Sequence, residues 1–547
     1  MLKLGDLCDD IHYIVQYYLE FSDVLNQISL SKRYNNLKIK NMLDLNLRQS
    51  KMLDADVLYK YRDRYRYVTA LQLSKFMIIN CMSMLKILYI KASKNENYGH
   101  DSIRLADSMF IGLNLEELNI DYCDGSINLN KMTNLKVLSI VCSNDKIDIL
   151  NVNMSELNLE TLNAWNNINV TDINHMTNLK YLNANGQCGI NDAGIRSLNL
   201  EYLSIAYNEK ITNINHMSKL KYLNASGSAG HRCSGLGNNG IGLLKNLEHL
   251  NVAYNNKITS LNHMYQLKYL NAYGTSGVND HGISELINLE HINVSENTKI
   301  TDLNHMSKLK YLSAFGNSGI SNGGIDKLNL ISLRASDNDR ITNVTHMTNL
   351  EWLDISNNRS ITKLNNLVNL KHLSMCGCCV VSCDEIRNLK LETLDISGNP
   401  IINDLNNTTT LKKLIANKSY YSMIGITSSM GDNGCKELIH LEELDISNNN
   451  NFKSLNHLHK LKKLNINGCS MGNDGIKDIN PEEIDASYCI NITSLNHMTN
   501  LKKLTIKGSG CRIGNDAINK LKLKELHAIY NSKIFWTKEN NLILSYD

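Results

Sequence analysis

Residues 200–219 read LEYLSIAYNEKITNINHMSK, and residues 179–199 before them read LKYLNANGQCGINDAGIRSLN. Both open on Leu-x-x-Leu-x-(Ile/Ala). In the fuller form Leu-x-x-Leu-x-(Leu/Ile/Ala)-x-x-(Asn/Cys/Ser), the phrase recurs from Leu85 to Leu523 in 21 units, with Pro481 once in the first position. Most steps are 20 to 22 residues and a few are 24 to 30. A phase held over so much chain is a repeat architecture, not chance. Val68-x-x-Leu71-x-Leu73 reads as a degenerate earlier unit.

The repeat has a direct physical reading. The phrase is a short strand whose alternate residues, such as Leu203 and Ile205, point one way. The chain then turns and returns along a second side. One unit cannot keep its apolar residues dry alone; stacked units share a continuous core. The ninth-position Asn (Asn167, Asn208, Asn255, Asn297, Asn338, Asn358, Asn399, Asn449, Asn531) falls where the strand turns. A buried amide there must be hydrogen-bonded, which predicts a ladder of side-chain bonds to neighbouring backbone. The second position alternates in sign, as in Lys180, Glu201, Lys221, Glu248, Lys268, Glu290 and Lys310, and resumes at Glu442, Lys462, Glu482 and Lys502. In-register strands then bring opposite charges together, which specifies register.

Units come in two kinds. The kind at 200 carries Ile211, Ile214 and Met217 at three-residue spacing, suited to extended or 3₁₀ turns. The kind at 179 carries Gly-Ile-x-Asp-x-Gly-Ile, where Asn191 or Asp192 can cap a short helix bearing Ile195 and Leu198. This pattern, over roughly residues 85–535, resembles the leucine-rich-repeat family. The helical kind resembles repeats of F-box leucine-rich-repeat proteins; the short kind resembles phosphatase-regulator and internalin-type repeats. The resemblance implies an α/β fold: a curved horseshoe solenoid with a parallel β-sheet on the concave face and short helices and 3₁₀ turns on the convex face. The expected divisions are a helical N-terminal module (1–45), a linker and cap with a possible degenerate repeat (46–84), the solenoid (85–535) and a C-terminal cap (536–547).

The concave face then exposes the third position of each unit: Tyr181, Tyr202, Tyr222, His249, Tyr269, His291 and Tyr311, followed by Ser332, Trp352 and His372. At ~4.8 Å per strand, rings line up over about 30 Å. Beside them run Asn183, Ser204, Asn224, Asn251, Asn271, Asn293 and Ser313, and beyond these Tyr273 and Phe315. Rings rimmed by amides suit a protein interface, although Tyr also suits strands and packs side by side there. The expected partner site is Tyr181, Tyr202, Tyr222, His249, Tyr269, His291, Tyr311 and Trp352 with Asn224 and Asn271.

Residues 4–45 leave the repeat. Ile11, Ile14, Val15, Tyr18 and Leu19 keep helical spacing, and Ser22-Asp23 offers an N-cap for a second helix with Val24, Leu25 and Ile28. Leu7-Cys8, Asp9-Asp10, Phe21-Ser22-Asp23-Val24-Leu25 and Ser31-Lys32-Arg33-Tyr34 resemble the F-box, with Cys8 where that family has Pro. The resemblance implies docking of a Skp-type adaptor of a cullin–RING ubiquitin ligase through Leu7, Ile11, Ile14, Leu19, Val24 and Leu25. A helical cap that only shields the first repeat accounts for the same residues.

Composition narrows the remaining classes. The 547 residues hold 57 Lys+Arg against 54 Asp+Glu, a formal +3. That balance argues against a dedicated nucleic-acid or membrane-surface binder. The basic–aromatic run at 59–67, YKYRDRYRY, reads as a charged element between modules. No apolar run approaches the ~20 residues that span a bilayer, and the N-terminus MLKLGDLCDDIHYIV shows no secretory signal. The 14 cysteines are therefore expected as thiols in an intracellular, cytoplasmic protein. The excess of Asn, Lys, Ile and Tyr resembles AT-rich coding, as in large DNA viruses or protists; a viral origin places the protein in host-cell cytoplasm.

No catalytic motif stands out, and a non-enzymatic monomer without cofactor is expected. His175, His216, His263, His305, His346, His457 and His497 recur before Met or Leu, mostly about 10 Å apart on strand spacing. Zinc needs its nitrogens within ~2.1 Å, so these read as solvated outer-face residues. Cys376, Cys378, Cys379 and Cys383 read as core cysteines, with Cys378 in the ladder position and zinc the lesser alternative. Gly235-x-Gly237-x-x-Gly240 lacks the strand and helix context of a dinucleotide fingerprint.

Overall fold

The computed structural model describes residues 44–46, 67–70, 85–90, 104–143, 150–230, 233–418 and 428–534. Leu7, Ile11, Ile14, Leu19, Val24 and Leu25, and the closing stretch with Trp536, lie outside the described residues. The fold is a parallel leucine-rich-repeat solenoid. Each Leu-x-x-Leu phrase forms a short strand, three residues long as in Tyr202–Ser204 or Tyr222–Asn224 and four at Ile87–Ile90. Its middle residue points inward: Leu203 and Leu223 are both fully buried. The residues on either side point outward, as the two-residue period of a strand demands.

Contacts divide the chain into two compact units, residues 1–267 and 268–547. In the first, the ladder starts at Asp44–Asn46 and Tyr67–Ala70, continues through Ile87–Ile90 and ends at His249–Asn251, every pairing parallel and in register. Its second strand corrects the frame expected for a degenerate unit: Val68 pairs with Leu88, the fourth position of the next phrase, and not with its first position Leu85. A small sheet of Arg104–Leu105, Asp124–Asn128 and Leu150–Asn153 lies on its return side. In the second unit the ladder runs from Tyr269–Asn271 to Glu525–His527.

The return side alternates as the two sequence kinds require. The helical kind gives single turns of helix at Asp192–Ile195, Asn238–Ile241, Asp280–Ile283 and Cys383–Ile386. Elsewhere it gives 3₁₀ turns such as Asn322–Gly324 and Asn473–Gly475. Among the described residues no helix is long and apolar enough to cross a membrane. Of the two cap candidates, Asn191 caps: its Oδ1 accepts from the Gly194 N–H at 3.1 Å. Asp192 instead reaches the next turn and accepts from the Thr212 N–H at 2.7 Å and hydroxyl at 2.6 Å. Gly194 is required by closeness, since a Cβ there would sit 2.0 Å from the Thr171 carbonyl oxygen. Ile211, Ile214 and Met217 of the short kind all have zero exposure.

The asparagine ladder forms. Asn208 is fully buried. Its Nδ2 donates to the carbonyls of Ala184 (2.8 Å) and Ile190 (3.3 Å) in the preceding turn, and its Oδ1 accepts from the Lys210 N–H at 2.9 Å. Asn255, Asn297 and Asn449 repeat the arrangement. Where Cys replaces Asn, the thiol donates to the equivalent carbonyl: Cys469 to Ile446 and Cys489 to Ile466, both at 3.0 Å.

One assignment is corrected. In the turn at Leu370 the inward thiol is Cys379, donating to the Ile355 carbonyl at 2.8 Å, and not Cys378. The turn at Leu370 spans 21 residues where the turn at Leu461 spans 20; the Cys378 N–H bonds Oδ1 of Asn357 (φ 57) in the turn before, and the inward-facing position falls one residue later. Gln187 and Cys188 repeat this under Asn166. Left-handed side-chain-bearing residues recur at this place (Asn166, Glu296, Asn357, Asn448), and the following turn answers with glycine. A Cβ on Gly316, itself at φ 66, would lie 2.0 Å from Glu296 Oε1.

The outer-face histidines are anchored as well as solvated: His175, His216, His346 and His497 are exposed and His263, His305 and His457 half-buried, and each Nε2 lies 2.9–3.1 Å from a carbonyl of the preceding turn, for instance His305 on Ile283 and His497 on Ile476. Helical-kind turns leave that carbonyl without an intrahelical partner, and the following histidine satisfies it.

Candidate functional site

The outward third positions stand in register because the strands do. In the first unit Tyr181 pairs with Tyr202, Tyr202 with Tyr222, and Tyr222 with His249. Their ring centroids are 5.9, 4.1 and 6.2 Å apart, and the Tyr202–Tyr222 rings are parallel to within 8°. Burial, and then Tyr222, push the Tyr202 phenol up to about 12. It therefore stays a neutral hydroxyl at neutral pH. The adjoining row is tied into a network: Asn224 Nδ2 donates to Ser204 Oγ at 3.2 Å, and Ser204 Oγ donates to Asn185 Oδ1 at 2.8 Å. Asn224 is thus held in place as part of the floor.

The second unit carries Tyr269, His291 and Tyr311, with His291 and Tyr311 stacked at 4.1 Å and 3°. Asn271 Oδ1 accepts from the Tyr273 N–H at 3.2 Å. Ser332 then breaks the row before Trp352. Tyr181 is 46% exposed, and Tyr269, Tyr311 and Trp352 are each 38% exposed. Tyr181, Tyr269 and Tyr311 pack against neighbouring rings yet present surface to solvent, the combination an aromatic anchor needs. From Lys413 onward the third position changes character. Lys413, Lys463 and Lys503 alternate with Glu443, Glu483 and Glu525, and a shallow groove there includes Asp445 and Asp485.

The second-position charges pair as register requires, at 2.8 Å for Lys310–Glu290, 3.0 Å for Lys371–Glu351 and 2.6 Å for Lys502–Glu482. The hydrogen bond between them lowers Glu290 and raises Lys310. Both partners are about half exposed, so the pairs act on register more than on stability.

The third-row aromatics expected from sequence also meet, Tyr273 and Phe315 with centroids 5.8 Å apart. Sequence reading missed Arg334, whose guanidinium carbon lies 4.3 Å from the Phe315 ring centroid. The available signal was one Arg in a row that Asn, Ser and Asp otherwise fill from Asn163 to Asp395. Cys376 and Cys379 are thiols pushed up to about 11 and about 12 by burial. Among the described residues no cluster of three or more His, Cys, Asp or Glu could hold a metal ion. Gly235 and Gly240 pack against the backbone carbonyls of Glu209 and Thr212, which is turn stacking and not a phosphate cradle.

No protein-family model matches the chain, and no curated protein matches its sequence. Solved structures do. The TLR13–ssRNA13 complex matches at 16% identity over 89% of this chain and 82% of that one, with a TM-score of 0.51. An internalin (inlF) from Listeria monocytogenes matches at 20% identity, covering 61% and 87%, with a TM-score of 0.36. The protein LIC12759 of Leptospira interrogans matches at 16% identity, covering 86% and 98%, with a TM-score of 0.33. At 16% identity the likeness to the TLR13 complex speaks for fold alone, and the phased strands and the asparagine ladder are those of a leucine-rich-repeat architecture.

Proposed function

We propose that the chain is a non-enzymatic recognition protein that binds a protein partner on the outward face of its strands. The observation that carries the reading is the pair of ring rows, Tyr181–His249 in the first unit and Tyr269–Tyr311 in the second. Each row holds one stacked pair, Tyr202–Tyr222 and His291–Tyr311, with tilted rings beside it, and runs alongside hydrogen-bonded amides such as Asn224 and Asn271. Aromatic anchors ringed by neutral polar groups concentrate binding energy in protein interfaces. The test is partner capture by crosslinking to the full chain, with Tyr222→Ala and Tyr269→Ala combined as the variant. Binding should weaken about tenfold or more, while the unfolding midpoint stays put because the rings are partly exposed. Unchanged binding would reduce the rows to sheet packing.

The finer reading concerns what the bound partner is delivered to. Residues 7–34 follow the F-box pattern through Leu7, Ile11, Ile14, Leu19, Val24 and Leu25, which makes the chain a substrate receptor of a cullin–RING ubiquitin ligase. Retention of a Skp-type adaptor by the full chain, lost on Leu7→Asp with Ile11→Asp, is the expected result. An unaltered chain that retains no adaptor leaves a repeat scaffold whose N-terminus is only a cap.

A further inference from the structure

We propose that Arg334 and the notch beside it form an anchor for one carboxylate of the partner, supplied by an Asp or Glu side chain or by a chain terminus. This inference rests on the protein-partner reading and names the chemistry the partner must bring.

The ring row is interrupted at one strand. Ser332 stands between Tyr311 and Trp352 in the register. At ~4.8 Å per strand the two rings are about 10 Å apart, with a small hydroxyl as the floor between them. Two residues along the same strand lies Arg334. Its guanidinium rests on the Phe315 ring at 4.3 Å. Its Nε lies 3.3 Å from Asp354 Oδ2, on a residue only 9% exposed. The ring below and the carboxylate beside fix the plane of the fork before any partner arrives.

What remains is the outer edge. The Arg334 side chain is 48% exposed, and among the described residues its two terminal nitrogens meet no acceptor. A planar fork with parallel N–H groups matches a carboxylate in bidentate fashion. Two carboxylates face the guanidinium, Asp354 at its Nε and Asp337, whose charge Arg334 favours but whose burial disfavours it, whereas Glu351 is held by Lys371 at 3.0 Å and Glu290 by Lys310 at 2.8 Å. A single guanidinium beside Asp354 is too little positive charge for a polyanion such as nucleic acid. One carboxylate, on a residue whose body enters the notch, fits the geometry. Preorganisation matters because the ordering cost of a long cationic side chain is already met in the free protein.

The strand is also where the repeat slips phase. Asn338 and Asn358 are ladder residues of adjacent short-kind turns, and Asn358 Nδ2 donates to the Asn338 carbonyl at 2.6 Å. Elsewhere the kinds alternate. The notch therefore occurs where the pattern supplies neither a ring nor a neutral amide.

The probes are two random heptapeptide phage libraries selected on the full chain, one displayed with a free carboxyl terminus and one displayed internally. The inference expects a fixed Asp or Glu among internal binders, or dependence on the free terminus in the other arm, which separates the two carboxylate sources. Synthetic binders should lose about tenfold or more in affinity on Glu→Gln, Asp→Asn or terminal amidation. Arg334→Ala should weaken the parent peptide equally and abolish that carboxylate dependence, whereas Lys371→Ala should leave it intact. Arg334 is exposed, so circular dichroism should show an unchanged melt. Binders that need Tyr269 or Trp352 but ignore both carboxylate and Arg334 overturn the anchor and leave the protein-partner reading standing. A selection that returns no binder counts against both.

Discussion

Replacing Asn208 with Ala tests the ladder where its geometry is most complete. The side chain is fully buried. It satisfies the carbonyls of Ala184 and Ile190 and the N–H of Lys210. Lys210 is exposed, so water can replace that bond. The two carbonyls have no such recourse. An orphaned buried polar group costs about 1–3 kcal/mol, so Asn208→Ala should destabilise by ~2–5 kcal/mol. Asn208→Cys is the discriminating companion. Cys469 and Cys489 already donate a thiol to the carbonyl equivalent to that of Ala184, so Asn208→Cys should recover about half of the loss. The assay is urea unfolding followed by circular dichroism, with amide exchange of residues 179–219 to localise the effect. A solenoid of independent turns loses two-state behaviour first near the lesion. An Asn208→Ala cost below ~1 kcal/mol, or equal costs for Ala and Cys, would refute the claim that these two bonds hold adjoining turns together.

Two further outcomes follow from packing and titration. Gly194→Ala drives a Cβ to 2.0 Å from the Thr171 carbonyl oxygen, whereas Gly323→Ala meets nothing within 4 Å; the first should cost about 1–3 kcal/mol and the second almost nothing in thermal melts. Burial raises the thiols of Cys188, Cys379, Cys435 and Cys489 from 9.0 to about 12. Above pH 9 the unfolded chain sheds these protons while the folded chain keeps them, so stability should fall as pH rises from about 9 towards 12. Midpoints measured across that range, and a shallower slope in Cys→Ala variants, check the sign.

Much of the fold was legible because the repeat imposes it. Leucine phase gave the strands, their register and the inward residues, and alternating Lys and Glu gave the ion pairs. The asparagine ladder followed from the cost of burying an amide. Three details depended on contacts between turns, which one turn's sequence does not encode. Cys379 takes the inward place in a 21-residue turn while the Cys378 N–H bonds Asn357 of the preceding turn. The histidines face solvent by position along the chain, yet close on a carbonyl some 21 residues earlier, as His216 does on Ile195. Arg334 carries no signal within its own turn; Phe315 and Asp354, on the strands to either side, frame it. The ring rows were foreseen as residues, but not which pairs would stack.

The left-handed residue of one turn and the glycine of the next are complementary halves, as Glu296 with Gly316 and Asn448 with Gly468 show. A solenoid assembled this way should grow or shrink by doublets. Excising residues 289–308 alone would leave Gly316 beneath a turn that contributes another glycine, Gly274, and no arm to fill the space. Excising 289–329 would splice like to like. The heritable brick of this protein is thus a couplet of dissimilar turns, and the neighbouring pair at Asn338 and Asn358 marks a seam where that couplet was broken.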